Sequence, residues 1–170
     1  MYTKKEYLDS NPIVVKKLME TALSFAELSK CAAKQVCCIL YKDGNIISIG
    51  INGTPPDTVN CNEKFRKIDN VWYYNRNPQG IHPEWVICED QEMHHRFSNF
   101  SEIHAEVNAI SKALVPVEGA VAVLTLSPCF NCAKLFVAFG ITKVYYHEEY
   151  EDFIDIKNFL NSQDIELVKI

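Results

Sequence analysis

The chain contains 170 residues, of which 48% are hydrophobic and 23% are charged, a composition that fits one globular domain with a full apolar core. The formal charge of −5 at pH 7 argues against broad nucleic-acid binding, because that affinity comes largely from lysine and arginine side chains that neutralise phosphates. The sequence shows neither a signal-like amino terminus nor an apolar run of bilayer length, so we expect a single cytoplasmic domain over residues 1–170 with no membrane partner.

The first predicted elements are a helix and a β-hairpin. Residues 12–30 carry apolar side chains at spacings of three and four, which indicates an amphipathic helix with Asn11 as its N-cap. Two β-prone runs, residues 36–41 and 45–49, are separated by a short segment containing Asp-Gly, a dipeptide favoured in tight hairpins. The pattern therefore predicts an antiparallel pair of strands.

A long insertion follows at residues 54–101, where no periodicity is sustained and Asn, Pro, Glu, His and aromatic residues are frequent. A structureless loop of that length is uncommon in a compact domain. We therefore expect an irregular insertion that contains short pieces of secondary structure or is held in place by another group, for which a metal ion is one candidate.

The rest of the chain alternates between helices and strands. Its patterns predict a helix at residues 103–114, a strand at 121–126, a helix that begins at Ser127 and Pro128 and ends near Gly140, a strand at 142–146, a helix at 152–160 and a strand at 165–170. Strands that alternate with helices after one hairpin predict an α/β fold, in which helices cover both faces of a mixed sheet.

The strongest functional signal is His104-Ala105-Glu106, followed by Pro128-Cys129-Phe130-Asn131-Cys132. One imidazole and two thiolates fill three positions of a tetrahedral zinc ion and leave the fourth open, as a catalytic zinc requires. The odd number of cysteines, seven, also favours metal ligands or reduced thiols over a disulfide framework. His104, Cys129 and Cys132 are therefore the predicted zinc ligands, in the order typical of zinc deaminases.

Glu106 is the predicted catalytic residue. Positions two apart diverge around a helix, so His104 and Glu106 can share a site only in a first helical turn. We expect zinc-bound hydroxide to act as the nucleophile, while Glu106 carries its proton to the base and later to the departing amine. A structural zinc finger would need a second histidine soon after His104, and a redox Cys-x-x-Cys pair would not need the His-Ala-Glu segment.

With these residues the chain resembles the cytidine and deoxycytidylate deaminase superfamily, and within it the phage-type deoxycytidylate (dCMP) deaminases. The resemblance extends over most of residues 15–150 and rests, beyond the zinc motif, on Asn52-Gly53-Thr54-Pro55, Glu102–Ile110, Ser127-Pro128-Cys129, Ala133-Lys134 and Gly140-Ile141. It implies a three-layer α/β/α sandwich around a five-stranded mixed sheet. The chain departs from the family at Val36-Cys37-Cys38, where Val-Gly-Ala is usual, so the shape of the nearby pocket is expected to differ.

The resemblance also implies roles for residues outside the zinc motif. Asn52 would hydrogen-bond the sugar, Tyr150 would pack on the pyrimidine and the backbone of Ala105 would meet the base edge. Without the family, Asn52 is a turn residue and Tyr150 an ordinary core or surface aromatic. A second, structural zinc is implied on Cys31, Cys61, His94 and Glu102, with His95 as an alternative to His94 and plain burial as the alternative for the cysteines. The residue that contacts phosphate stays open among Lys34, Lys64, Arg66, Lys67 and Arg96.

The activity implied is hydrolysis of dCMP to dUMP and ammonia, a step of nucleotide metabolism that leads to dTMP. Family members often form hexamers under allosteric control by dCTP and dTTP, so a homo-oligomer, and a magnesium ion bound with the effector triphosphate, are implied as well. Three alternatives stay open: another cytosine nucleotide as substrate, adenosine in transfer RNA, and a non-catalytic zinc-stabilised binding module. The acidic residues 147–155 disfavour an RNA substrate, and a binding module has no use for Glu106.

Overall fold

The computed structural model describes residues 8, 10–150 and 153–170. Its helices are α1 (Pro12–Ala26), α2 (Cys61–Lys64), α3 (Met93–Ser101), α4 (Ala105–Ser111), α5 (Phe130–Ala138) and α6 (Phe153–Asn161). Its strands are β1 (Cys37–Lys42), β2 (Asn45–Ile51), β3 (Phe65–Ile68), β4 (Val71–Asn75), β5 (Trp85–Ile87), β6 (Val121–Leu126), β7 (Lys143–Glu148) and β8 (Glu166–Lys169). Within this described part, no helix combines the length and the apolar character needed to cross a bilayer.

Five strands form the central mixed sheet in the order β2-β1-β6-β7-β8. Strand β1 pairs antiparallel with β2 and β6, whereas β6, β7 and β8 run parallel. The predicted hairpin is confirmed, and its turn residues Asp43 and Gly44 have φ angles of 53° and 83°. Positive φ at both central positions is the feature that makes Asp-Gly favourable in a two-residue turn between twisted strands.

Helices cover both faces of this sheet, as the predicted α/β/α sandwich requires. Alternate residues of β1 point to opposite faces: Ile39 packs in one apolar cluster with Ala22 of α1, and Leu40 packs in the other with Ala109 of α4 and Phe136 of α5. All five side chains are fully buried. The periodicities of two for strands and 3.6 for helices thus account for the three layers.

Helix α4 lies directly against strand β2. A Cβ atom added to Gly50 would stand 2.1 Å from the carbonyl oxygen of Ala105 and 2.2 Å from the backbone nitrogen of Ala109. Close by, the side-chain amide of Asn108 donates a hydrogen bond of 2.8 Å to the carbonyl of Ile51. Only glycine permits this approach, so the start of α4 is positioned by backbone contact with the sheet.

The insertion is more regular than its sequence indicates. It contains helices α2 and α3 and an antiparallel three-stranded sheet in the order β3-β4-β5. The prediction of short pieces is confirmed, and three of those pieces join into a small sheet that the sequence does not indicate. The reason is that these strands are only three to five residues long, and large side chains occupy both of their faces, so apolar and polar residues do not alternate.

Three predicted helix boundaries are also corrected. The first helix ends at Ala26 and not at residue 30, because the N–H groups of Leu28 and Ser29 bond to carbonyls three residues earlier and the Ser29 hydroxyl donates to Oδ1 of Asn52. The helix predicted from Ser127 begins at Phe130, and the helix predicted over 103–114 is shortened to Ala105–Ser111. Position 152, the predicted start of the last helix, lies outside the described residues.

Candidate active site

Two helices begin at predicted metal ligands. His104 is the N-cap of α4 and Cys129 is the N-cap of α5, and neither side chain makes a capping hydrogen bond. Cys132 follows in the first turn of α5. Because these side chains do not fold back onto their own helices, they can face one another, and the positive ends of two helix dipoles are close to them.

The spacing of the three ligand atoms fits a zinc ion. Nδ1 of His104 lies 3.4 Å from Sγ of Cys132 and 3.6 Å from Sγ of Cys129. Zinc–sulfur bonds of about 2.3 Å and zinc–nitrogen bonds of about 2.0–2.1 Å, meeting at the tetrahedral angle, separate N and S by about 3.6 Å. The residues present therefore form a zinc-sized group without any rearrangement of the backbone.

One thiol of this cluster, that of Cys129, is stabilised in the charged form that binds metals. A hydrogen bond from Cys132 lowers the pKa of Cys129 to about 4, against the opposing effect of burial and with help from His104. The pKa of Cys132 is raised in return, chiefly by its bond to Cys129. One negative charge is thus already stabilised in the cluster, as thiolate coordination needs.

Glu106 faces the same cleft but is not one of the three clustered ligand atoms. It lies in the first turn of α4, and only 4% of the residue is exposed. Burial raises the pKa of its carboxyl group to about 7. A carboxyl group that can exist in either protonation state near neutral pH therefore stands beside the metal cluster.

Asn52 braces the wall of the cleft. Its Oδ1 accepts hydrogen bonds from the Ser29 hydroxyl and from the backbone N–H of Val36, and its Nδ2 donates to the carbonyl of Lys34. Ala105 and Tyr150 line the cleft as well, and the backbone N–H of Tyr150 donates to the Ser127 hydroxyl. The structure thus brings all three residues expected to contact substrate into one cavity with Glu106.

The second predicted metal cluster opens into the same cavity. The ligand atoms of Cys31, Cys61 and His94 lie within 4.8 Å of one another, with Cys61 Sγ 3.2 Å from His94 Nε2. Glu102 is outside that tight group, but its Oε2 lies 3.3 Å from Cys31 Sγ and its buried Oε1 has no hydrogen-bond partner. A buried carboxylate oxygen without a partner is costly and fits a cation as its missing neighbour.

The contacts of the two histidines distinguish them. His94 is buried and its ring stacks on Trp72, with centroids 4.0 Å apart and planes 7° apart. His95 is exposed and its Nε2 lies 3.0 Å from Nδ2 of Asn99. The geometry therefore favours His94 over His95 at this cluster. In the same cluster, hydrogen bonding by the Cys61 thiol lowers the pKa of Cys31 to about 3.

Of the five candidate phosphate contacts, only Lys34 lines the described part of the cleft. The others lie elsewhere: Lys64 is over the ring of Phe97, Arg66 and Lys67 are over tryptophan rings of the small sheet, and Arg96 pairs with Asp90.

Cys37 and Cys38, which replace the family's glycine and alanine, are fully buried core residues. Cys38 packs in the same apolar cluster as Ala105 and Ala109, whereas Cys37, at the glycine position, packs on the α1 face of the sheet; neither lines the described part of the cleft.

Three serines with structural roles were not identified from the sequence. Ser29 orients Asn52, Ser98 donates to Oε2 of Glu102, and Ser127 accepts from the backbone of Tyr150. The only available signal was the position of Ser127 immediately before Pro128-Cys129. For Ser29 and Ser98 the partner is distant or depends on helix geometry, so no local pattern indicates it.

Comparisons of the sequence and of the structure with known proteins agree on one protein family. The profile of the cytidine and deoxycytidylate deaminase zinc-binding region matches residues 13–148. The chain is 36% identical over 151 residues to the deoxycytidylate deaminase of Enterobacteria phage T2, covering 79% of each chain, and 35% identical to that of phage T4, covering 79% and 77%. The crystal structure of dCMP deaminase from cyanophage S-TIM5 in complex with dCMP and dUMP is similar with a TM-score of 0.68 and 26% identity, over 94% of this chain and 98% of that one.

Proposed function

The chain belongs to the cytidine and deoxycytidylate deaminase family, and we propose that residues 1–170 form a single deaminase domain that hydrolyses dCMP to dUMP and ammonia. The names of the phage relatives, and the nucleotides bound to the cyanophage enzyme, support this substrate. The observation that carries the proposal is a buried carboxyl group, Glu106, in one cleft with a zinc-sized His-Cys-Cys group that does not include it.

His104, Cys129 and Cys132 are the residues that would hold the catalytic zinc. In such a donor set zinc supplies Lewis acidity, which lowers the pKa of a coordinated water toward neutrality. The residues of the chain then have distinct tasks: the two helix starts hold the ligands in place, and Glu106 beside them moves protons.

Glu106 carries the protons of the reaction. Its carboxylate accepts a proton as the water oxygen attacks C4 of the pyrimidine, and passes that proton to N3 of the ring. The new C4 hydroxyl then gives its proton to Glu106, which delivers it to the exocyclic nitrogen; the C4–N bond breaks, ammonia leaves and the C4 oxygen becomes the carbonyl of dUMP. Because all of these atoms must be within hydrogen-bond reach of one carboxyl group, its position at the first turn of α4 is essential.

The substrate is held by the residues that line the cleft with Glu106. The backbone of Ala105 is suited to the edge of the base and the ring of Tyr150 to its face. Asn52 donates the second hydrogen of Nδ2 to the sugar, because its Oδ1 already accepts from Ser29 and Val36 and its first Nδ2 hydrogen is donated to Lys34.

A second, structural metal ion is part of this proposal, held by Cys31, Cys61, His94 and Glu102. The thiol and imidazole atoms are already clustered, and the unpartnered Oε1 of Glu102 supports a cation next to it. Since these ligands come from the segment after α1, from α2 and from the two ends of α3, such an ion would join the insertion to the rest of the domain.

Assembly and regulation rest on the resemblance to the family alone. We propose that the chain forms a homo-oligomer, specifically a hexamer, whose activity is controlled by dCTP and dTTP with magnesium. On the same basis we propose a cytoplasmic location and a role in dTMP synthesis. The corresponding test is a dCMP saturation curve, which should be sigmoidal and respond to both triphosphates. A hyperbolic curve that ignores them would remove allostery from the proposal.

The decisive test of function is ammonia release from cytosine, cytidine, deoxycytidine, CMP, dCMP, dCTP and adenosine at one enzyme concentration. The proposal expects the highest kcat/KM for dCMP. A preference for another cytosine nucleotide would change the proposed substrate but leave the proposed deamination chemistry in place. Adenosine turnover would favour the transfer RNA alternative, whereas metal content without any turnover would favour a binding module.

A further inference from the structure

The connecting segment between α1 and β1, residues 27–36, contains neither helix nor strand, so its shape depends on individual contacts. Two of these contacts lead to α2. The carbonyl of Lys30 accepts a hydrogen bond of 2.9 Å from the backbone N–H of Asn62, and the backbone N–H of Ala32 donates to Sγ of Cys61 at 3.4 Å. The connecting segment is thus tied to the element that carries one ligand of the second metal cluster.

The side chain of Asn52 makes its described hydrogen bonds with this same segment. Its Oδ1 accepts from the Ser29 hydroxyl at 2.7 Å and from the backbone N–H of Val36 at 2.9 Å, and its Nδ2 donates to the carbonyl of Lys34 at 2.9 Å. A backbone N–H can only donate and a backbone carbonyl can only accept, so these bonds fix which end of the amide is the oxygen. The direction of the second Nδ2 hydrogen therefore depends on the conformation of the connecting segment.

Ser29 links Asn52 to the second metal cluster. Only 4% of the residue is exposed, and it does not line the described part of the cleft. Its oxygen accepts a buried hydrogen bond of 3.2 Å from the backbone N–H of Cys31, while its hydroxyl donates to Oδ1 of Asn52 and also lies 3.0 Å from the Asn52 carbonyl oxygen. Donation thus runs in one direction from Cys31 through Ser29 to Asn52, and hydrogen bonds in such a chain strengthen one another.

We propose that Ser29 is a positioning residue that holds Asn52 toward the sugar hydroxyl and makes this orientation depend on the metal ion of the Cys31, Cys61 and His94 cluster. This inference rests on the proposed function, since it concerns the sugar contact in the same cleft. With the ion bound, Cys31 is fixed and its N–H stays on Ser29. Without the ion, the connecting segment loses an anchor and Asn52 is no longer held in place. The second ion therefore serves substrate recognition as well as stability.

The first test compares dCMP with dideoxy-CMP, which lacks the one free hydroxyl of the dCMP sugar. Ser29→Ala should narrow the preference for dCMP about threefold to tenfold, as a weakened neutral hydrogen bond implies. The loss should appear chiefly in KM, because the sugar is bound alike before and during the reaction. An equal loss for both nucleotides, or no loss, would overturn the assignment.

The matched control for that variant is Ser48→Ala. It also removes a buried hydroxyl, but one that has no hydrogen-bond partner among the described residues and does not line the cleft. The control should keep the wild-type preference between the two nucleotides. If it narrows the preference as much as Ser29→Ala does, loss of any buried hydroxyl is sufficient and the positioning role is refuted.

A double substitution tests whether the effect passes through the amide. In a chain that already carries Asn52→Ala, adding Ser29→Ala should change the preference no further, because residues that act through one hydrogen-bond chain are not additive. A full additional loss would show that Ser29 acts on the sugar by another route.

Cys61→Ser tests the dependence on the second ion, since it replaces a thiolate ligand by a hydroxyl of similar size. Its preference for dUMP over dideoxy-UMP, measured by calorimetry alongside metal content, should narrow as in Ser29→Ala. The control Cys88→Ser, at an equally buried cysteine outside the cluster, should keep both the metal and the preference. A folded Cys61→Ser chain that lacks the ion and keeps the full preference would refute the dependence. The Ser29 variants test the positioning role even where chains without the ion do not fold.

The same binding measurements separate failure of this inference from failure of the proposed function, because dUMP and dideoxy-UMP bind without turnover. A sugar preference that depends on Ser29, without ammonia release from any substrate, refutes deamination but keeps the positioning role. Normal dCMP turnover with a sugar preference that does not depend on Ser29 keeps deamination and refutes the positioning role.

Discussion

Replacing Gly50 by alanine should displace the first turn of α4, on which His104 and Glu106 depend. The added Cβ would stand 2.1 Å from the carbonyl oxygen of Ala105, so strand and helix must separate by about 1.3 Å to restore ordinary contact at 3.4 Å. The neighbouring atoms are backbone atoms and cannot rotate away. Overpacking of this kind costs about 1–3 kcal/mol of folding free energy.

Thermal unfolding and steady-state kinetics measure the two consequences. For a chain of this length, a loss of about 1–3 kcal/mol lowers Tm by about 2–12 °C, and a catalytic group displaced by about 1 Å can lower kcat about a hundredfold. Gly53→Ala is the matched control, because a Cβ at Gly53 meets no atom within 4 Å. If Gly50→Ala keeps the Tm and kcat of that control, contact between β2 and α4 does not position the catalytic residues.

Substitutions at Glu106, at Cys61 and at Asn52 should each have a measurable effect. Glu106→Gln should keep its zinc but lose about a hundredfold to ten-thousandfold in kcat, whereas the exposed Glu118→Gln should not; equal activity of the two would refute the proton-transfer role. Cys61→Ala should release about one equivalent of metal and lower the free energy of unfolding by about 4 kcal/mol, if the ion is present at a thousand times its Kd. The control Cys88→Ala, at an equally buried cysteine, should keep the metal. Unchanged metal content in Cys61→Ala would refute the second site. Asn52→Ala leaves the backbone N–H of Val36 without its partner and should destabilise the protein by about 1–3 kcal/mol, as measured by urea unfolding. An unchanged urea midpoint would show that the hydrogen bonds of Asn52 do not stabilise the fold.

Local patterns were sufficient to predict most of the sandwich. The Asp43-Gly44 turn, the alternation in β1 and the apolar spacing in α1 each depend on residues close together in the chain, so their structures follow from the sequence alone. The spacing of His104 and Glu106 likewise predicted that both lie at the beginning of α4, although the helix begins at Ala105 and not at residue 103.

The remaining features depend on contacts between distant residues. The first helix stops early because Ser29 bonds to Asn52, which is 23 positions away. The small sheet of the insertion packs Phe65 against His94 and Phe97, and its short strands carry too few residues for a period to be recognised. Nor could the sequence distinguish Lys34 from the other candidate cations, since charge alone does not indicate which side chains line a cavity.

The N-cap positions of α4 and α5 are occupied by His104 and Cys129, although serine, threonine, aspartate or asparagine would each stabilise a helix start by about 1 kcal/mol. Both helices therefore begin without the side-chain bond that usually closes them. Natural selection tolerates such weak points where activity requires them. A descendant that lost the reaction would be free to acquire ordinary caps there, and its apoprotein would become more heat-resistant than its ancestor's.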